Sequence, residues 1–263
     1  MARRIVVTSG KGGVGKTTVC VNLGYALANK HKKVLLVDVD FGLNNLDVVL
    51  GIENKIVYDL FDVIEGKCRP EQALVQDFNN SNLYILPTNR TFCPRIDDNR
   101  LIQIIKDIET KFDYVLIDCP AGIEDGFNRA VKLSNEAIVV TTPHISSVRD
   151  ADKLITRLDA NYINLVGLIV NRVRGDLIIK GDMISIQTIV SYLSLNLYGI
   201  VPEDDNIAKQ LLSGGTLPSS SEGSLAYNMI ATKIISGSGA IYDCESKYKG
   251  IIGAIRTKLR KFV

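Results

Sequence analysis

The chain has 263 residues, 46% of them hydrophobic, and its 31 Lys and Arg against 29 Asp and Glu leave a formal charge of +2. That length and apolar content exclude a disordered or fibrous chain and suit one large α/β domain. The five cysteines (Cys20, Cys68, Cys93, Cys119, Cys244) are odd in number and contain no Cys-x-x-Cys pair, which argues against a disulfide framework, a structural zinc site or a four-cysteine cluster and favours a reducing compartment.

Residues 3–9 (RRIVVTS) predict a short buried strand. It begins so early that no signal or transit peptide is expected. A glycine-rich turn, a helix over about 17–29 and a strand at 34–38 (VLLVD) complete a βαβ unit. The alternation returns at 84–86, a helix near 101–108, strands at 113–118 and 137–142, a helix near 147–158 and a strand at 165–171. Near-continuous Val, Ile and Leu strands separated by amphipathic helices predict a mostly parallel sheet of seven or eight strands covered by helices on both faces, a single-domain α/β fold of the P-loop NTPase type over 1–235. The turn-rich stretch 214–223 predicts an exposed loop, 225–235 a helix, and SGSG at 236–239 opens a hinge running to 247. No apolar run approaches the roughly 20 residues of a membrane span.

Residues 10–17 read GKGGVGKT, which fits G-x-x-x-x-G-K-[ST] between a strand and a helix. Glycines let the backbone turn tightly, so N–H groups of Gly10, Lys11, Gly12, Gly13, Val14, Gly15 and the helix start at Thr18 can surround phosphates. Lys16 brings a cation to the β and γ oxygens, and Thr17 supplies a Mg²⁺ ligand. Lys11 is an additional lysine across the turn. It is either an exposed surface residue or a cation that crosses a dimer interface to the partner's nucleotide, as an arginine finger does.

Asp38 and Asp40 end the second strand at the edge where open sheets bind ligands. Asp40 is placed to orient the attacking water and Asp38 to support Mg²⁺ or its waters. Asn45 and Asp47 either cap a helix or carry a nucleotide-sensing loop. Asp118 ends DYVLID and brings a third carboxylate to the same crevice, resembling a Walker B aspartate that holds Mg²⁺ directly or through water. Gly122 follows with a backbone N–H for the γ-phosphate, and Cys119 reads as a packed residue. His31 and His144 are too few and too isolated for a metal centre. Asn171 and Arg172 end LVGLIVN, and Pro202, Glu203 and Asp204 follow LYGIV; these two strand ends can bracket a nucleotide base.

Taken together, GKGGVGKT, DVDFGLNNLD, DCPAGIE, SSVRDADK, IVNR and GIVPEDD resemble the deviant Walker A ATPases of the MinD/ParA family, over essentially the whole chain. The resemblance lies with the branch that determines septum sites. It implies an ATP-sandwiched homodimer in which Lys11 is the signature lysine, Lys16 and Thr17 serve phosphate and Mg²⁺, and Asp40 supports the water. By the same resemblance Asn171 and the Pro202 region contact adenine, and the helix carrying Ser147, Arg149, Asp150 and Asp152 binds partners. Those partners are a MinC-like inhibitor of FtsZ ring assembly and a MinE-like activator. The sequence departs from the family pattern at Asn44, commonly Arg, at His144, commonly acidic, and at SGGTLP over 213–218.

The charge is unevenly distributed. Six bases (Lys247, Lys249, Arg256, Lys258, Arg260, Lys261) and no acid occupy 247–263, so residues 1–246 hold 25 bases and 29 acids, net −4. Over YKGIIGAIRTKLRKFV, steps of about 100° per residue bring Ile251, Ile252, Ile255, Leu259, Phe262 and Val263 into one arc of about 120°, with Tyr248 at its centre. Arg256, Lys258, Arg260 and Lys261 fall outside it. The pattern predicts an amphipathic helix over 248–263 that folds as it lies in an anionic membrane interface, and ATP-dependent dimerisation would pair two such tails. A helix docked on its own domain and a disordered basic tail are the competing readings. For the whole chain, they are a DNA-partition ATPase, which needs a basic body, a flagellar-placement ATPase, and an iron–sulfur carrier, which needs paired cysteines. The compartment is a bacterial cytoplasm or the stromal side of a plastid inner envelope; 31 Ile and 18 Asn fit an AT-rich, plastid-encoded gene.

Overall fold

The computed structural model describes residues 1–41, 45–88, 97–120, 122, 125–250, 253 and 257. Expectations that fall on Asn44, on Cys93, on Ile251, Ile252, Ile255 and Arg256, and on Lys258, Leu259, Arg260, Lys261, Phe262 and Val263 lie outside the described residues.

The strands are β1 (Arg3–Thr8), β2 (Val34–Asp38), β3 (Val75–Gln76), β4 (Leu83–Leu86), β5 (Tyr114–Asp118), β6 (Glu136–Thr141), β7 (Asn164–Val173) and β8 (Leu197–Pro202). They form one sheet in the order β3-β4-β2-β5-β1-β6-β7-β8, parallel throughout except for the β3–β4 pair. Alternate side chains of each continuous apolar run enter opposite cores: Val6, Leu35, Val37, Val115 and Ile117 on one face, Ile5, Val7, Leu36 and Leu116 on the other.

The first face is covered by α4 (Asp98–Glu109), α5 (Asp125–Leu133), α6 (Ile145–Ala160) and α8 (Ile186–Leu193). Leu101, Ile104, Phe127, Leu154 and Ile189 supply its apolar stripes. The second face is covered by α1 (Lys16–Ala28), α2 (Asn45–Leu50) and α10 (Glu222–Ser236), through Val19, Leu23, Leu46, Tyr227 and Ile230. Helix α1 is buried almost all round because α10 lies over it. Short helices α3 (Leu60–Ile64), α7 (Gly175–Lys180) and α9 (Asp205–Ser213) complete the described layers.

Register fixes the functional edge. Pairing of β2 with β5 sets Asp38 beside Asp118, while β1 sets Val7 on the other side of Asp118 and leads directly into the glycine loop. Both carboxylates thus reach the carboxyl edge of adjacent strands.

Tyr227 is 1% exposed, and its hydroxyl has no hydrogen-bond partner among the described residues. A buried, unpaired hydroxyl costs about 1–3 kcal/mol. Tyr227→Phe is therefore expected to leave stability unchanged or raise it by about 1 kcal/mol in urea unfolding. A loss of that size would mean that the hydroxyl is bonded in solution.

The segment after α10 differs from a hinge over 236–247. Gly237 ends the helix with φ 76°, and beyond it Ile241 and Tyr242 pack on the core while Cys244 is buried. Lys247 forms an ion pair with Glu222, and its ammonium lies 5.1 Å from the centre of the Tyr248 ring. Tyr248 is 8% exposed, so it packs on the body and does not present itself to a membrane. The helical phase assumed for it fails because Lys249 is extended and Gly250 has φ 74°, which breaks the continuity between Tyr248 and the residues that follow.

Candidate functional site

The glycine loop runs from the end of β1 into α1. Gly15 has φ 92°, a conformation glycine adopts without strain, and a Cβ there would meet the Asn171 amide nitrogen at 2.5 Å. Gly10 passes so close to α6 that a Cβ would lie 2.0 Å from the Asp150 carbonyl oxygen. Gly13 also has positive φ, Val14 is buried, and the Ser9 hydroxyl donates to the Lys11 carbonyl at 2.7 Å, so the loop's own contacts help to set its shape. Lys16, Thr17 and Thr18 form the first turn of α1, with Lys16 only 9% exposed.

At the crevice floor the Thr17 hydroxyl donates to Asp118 Oδ2 at 2.6 Å. Asp118 Oδ1 is buried and has no partner among the described residues. Burial, and then the neighbouring Asp38 charge, push the Asp118 carboxyl up to about 8, against the opposing pull of the Thr17 hydrogen bond and the Lys16 charge. Asp38 is pushed up to about 6, chiefly by burial, although it accepts from the Asp40 N–H at 2.8 Å and the Leu46 N–H at 3.5 Å. Asp40 is raised by partial burial and lowered by Lys16. Two stacked carboxylates with one orphaned oxygen form a site short of positive charge.

The donor set suits a hard cation. A hydroxyl and carboxylate oxygens match Mg²⁺, which retains water and substrate oxygens in its shell. Among the described residues no cluster of three His, Cys, Asp or Glu is arranged for a metal. Thr17, Asp38 and Asp118 are the residues that could hold it.

The other expected residues lie around this floor as follows. Asn171, 4% exposed, donates its amide to the Val14 carbonyl at 2.8 Å and joins β7 to the loop. Val173 pairs with Pro202, and the Glu203 N–H bonds to the Val173 carbonyl at 3.1 Å, which brings the Asn171–Arg172 and Pro202–Glu203 strand ends together. Arg172 is exposed with φ 55°. A cleft of ≈ 350 Å³ lies between the loop and these ends, lined by Lys11, Gly13, Val14, Arg172, Arg174 and Glu203 among others. Gly122 has φ 94°.

Lys11 is exposed, and its ammonium donates to the Ser146 hydroxyl at 3.0 Å. Nothing local marks Ser146 as its partner, because the two are 135 positions apart. Also unforeseen was Arg174, paired with Asp176 at 2.7 Å and lying 3.8 Å from Glu203. Asp47 lies in the first turn of α2, which begins at Asn45, and is buried with its carboxylate accepting from the Val48 N–H. The side chain of Asn45 lies outside the described residues. Cys119 is packed at 1% exposure, with burial pushing its thiol up to about 12, which argues against a nucleophile.

A phosphate-binding loop on a parallel sheet, two carboxylates at adjacent strand ends and an extra lysine at the loop's second position define a P-loop ATPase of the deviant Walker type. The family model for the CobQ/CobB/MinD/ParA nucleotide binding domain matches residues 5–217. The chain is 45% identical over 262 residues to the septum site-determining protein MinD of Bacillus subtilis (strain 168), covering 98% of each chain. Among solved structures it is similar to the MinC:MinD cell division protein complex of Aquifex aeolicus, with TM-score 0.82, 40% identity and coverage of 91% of this chain and 97% of that one. It is also similar to MinD complexed with Mg-ADP from Pyrococcus horikoshii OT3, with TM-score 0.80, 33% identity and coverage of 90% and 97%. The chain belongs to the MinD/ParA family of ATP-hydrolysing P-loop proteins, within its MinD branch.

Proposed function

We propose that this chain is an ATP-switched, membrane-associated ATPase that places the division site by recruiting a MinC-like inhibitor of FtsZ ring assembly. The observation that carries the reading is the convergence of Lys16, Thr17, Asp38 and Asp118 on one crevice while Lys11 stands exposed at its rim. Loop N–H groups and the Lys16 ammonium bind and orient the β- and γ-phosphates of ATP. Thr17 and Asp118, with Asp38 behind them, hold Mg²⁺, which when bound neutralises phosphate charge. Asp40, beside Lys16, orients the attacking water. Asn171 and Arg172 on one side and Pro202 and Glu203 on the other border the adenine.

Lys11 completes the site in a second copy of the chain. It leaves Ser146 and neutralises charge on the partner's nucleotide, so hydrolysis waits for an ATP-sandwiched homodimer. The face of α6 that begins at Ile145, 63% exposed, receives the MinC-like inhibitor and a MinE-like activator. Bases over 249–263 attract anionic lipid, and pairing of two tails in the dimer makes membrane residence depend on ATP. Among the described residues no helix is long and apolar enough to cross a membrane, and the −4 body offers little attraction for DNA.

Lys11→Ala separates these steps. It is expected to bind Mg-ATP within a few-fold of wild type, yet to lose roughly 1,000-fold or more in turnover. Dimerisation with ATP should fail in sedimentation. Retained turnover in this variant would remove Lys11 from the mechanism.

A further inference from the structure

Helix α9 reverses the usual burial pattern. Leu211 is 37% exposed and Leu212 is 89% exposed, whereas the one buried residue in the helix is Gln210. A glutamine is seldom buried unless its amide is satisfied at both ends. Here Gln210 Oε1 accepts from Asn22 Nδ2 at 2.9 Å, and Gln210 Nε2 donates to the Gly215 carbonyl at 2.8 Å. Asn22, also buried, directs the same amide to the Thr18 carbonyl at 2.9 Å. Thr18 directly follows the Lys16 and Thr17 of the phosphate loop. A continuous buried amide relay therefore joins the phosphate-binding turn of α1 to α9.

The near end of α9 is tied as well. Asp204 caps it by accepting from the Asn206 N–H at 2.8 Å, and its second oxygen accepts from the Gly223 N–H at 2.9 Å. Pro202 and Glu203 lie immediately before this cap. Apolar packing tolerates sliding, whereas a paired amide fixes distance and direction.

We propose that Gln210, through Asn22, is a positioning residue for nucleotide: it sets the distance between the Pro202–Glu203 wall and the phosphate loop, so that base and phosphates are engaged together. This inference rests on the reading that Pro202 and Glu203 border the base. The relay touches neither phosphate nor base. Its loss thus weakens a ligand that bridges both regions and spares a ligand that needs only the loop.

The test measures affinities of the full-length protein for Mg-ADP and Mg-pyrophosphate in wild type, Gln210→Leu and Asn22→Ala, which break the same bond from opposite sides. Each variant loses the shared Asn22–Gln210 bond and one more, Gln210 to the Gly215 carbonyl or Asn22 to the Thr18 carbonyl; loss of the shared bond predicts roughly three- to tenfold weaker ADP binding with pyrophosphate unchanged, in each variant that folds by circular dichroism. Equal losses for both ligands, or none for either, overturn the proposal. Photolabelling of wild type by 8-azido-ADP keeps the underlying reading separate. Labelling that maps away from the Pro202–Glu203 peptide refutes the base wall itself, whereas labelling there with unchanged ADP affinity in both variants refutes only the role of Gln210.

Discussion

Asp118→Asn is expected to reduce ATP turnover by roughly 100- to 1,000-fold while making the nucleotide-free protein more stable. The two effects have one origin. Asp118 is buried beside Asp38 with an oxygen that has no partner among the described residues, an arrangement suited to a cation. Its carboxyl is raised from an ordinary 3.8 to about 8, first by burial and then by Asp38.

The folded chain consequently retains a proton that the unfolded chain releases. Stability from this group is fully present below about pH 4 and falls as pH rises through the folded value near 8. Urea melts of nucleotide-free wild type should therefore lose up to about 1.4 kcal/mol per pH unit relative to the Asn variant as pH rises from 5 towards 8. Stability curves for the two proteins that run parallel over that range would show that the carboxylate is at ease without a cation.

Ile255→Glu carries the second large effect. Under the proposed anchoring it removes an inserted aliphatic side chain, worth about 1.5–3 kcal/mol, and adds an acid where the lipid surface is anionic. One tail should lose roughly 10- to 100-fold in affinity, and a two-tailed particle should lose ATP-dependent retention altogether. Co-sedimentation with phosphatidylglycerol vesicles, with and without ATP, checks it. The described phosphate site predicts normal ATP binding in the same protein. Undiminished retention would mean that basic charge alone holds the tail to lipid.

What could be read in advance follows from how local each signal is. The loop from Gly10 to Thr17, the central strands and the carboxylates at their ends declare themselves within a few residues, because a buried parallel strand is a continuous apolar run and a phosphate loop needs its glycines in order. The two-residue strand β3 has no periodicity to read. Helix α1 shows no stripe because α10 buries its outer side. Ser146 reaching Lys11, and Gln210 reaching Asn22 across 188 positions, are products of packing with no local trace. Tyr248 is the opposite case: the local pattern groups it with the residues after Gly250, whereas the extended Lys249 and the φ of 74° at Gly250 separate it from them and it packs on the body.

The burial of Cys244 and Tyr248 also sets the length of the tether. With the strap after α10 pinned to Glu222 and the core, any leash to a membrane-inserting segment that begins at Ile251 starts at Lys249 instead of Gly237, two residues instead of fourteen. Local concentration at the end of a flexible connector falls as the connector lengthens, so the shorter leash raises it for a second contact. Cutting Lys247 from Glu222 would lengthen the leash without changing a single group that touches lipid.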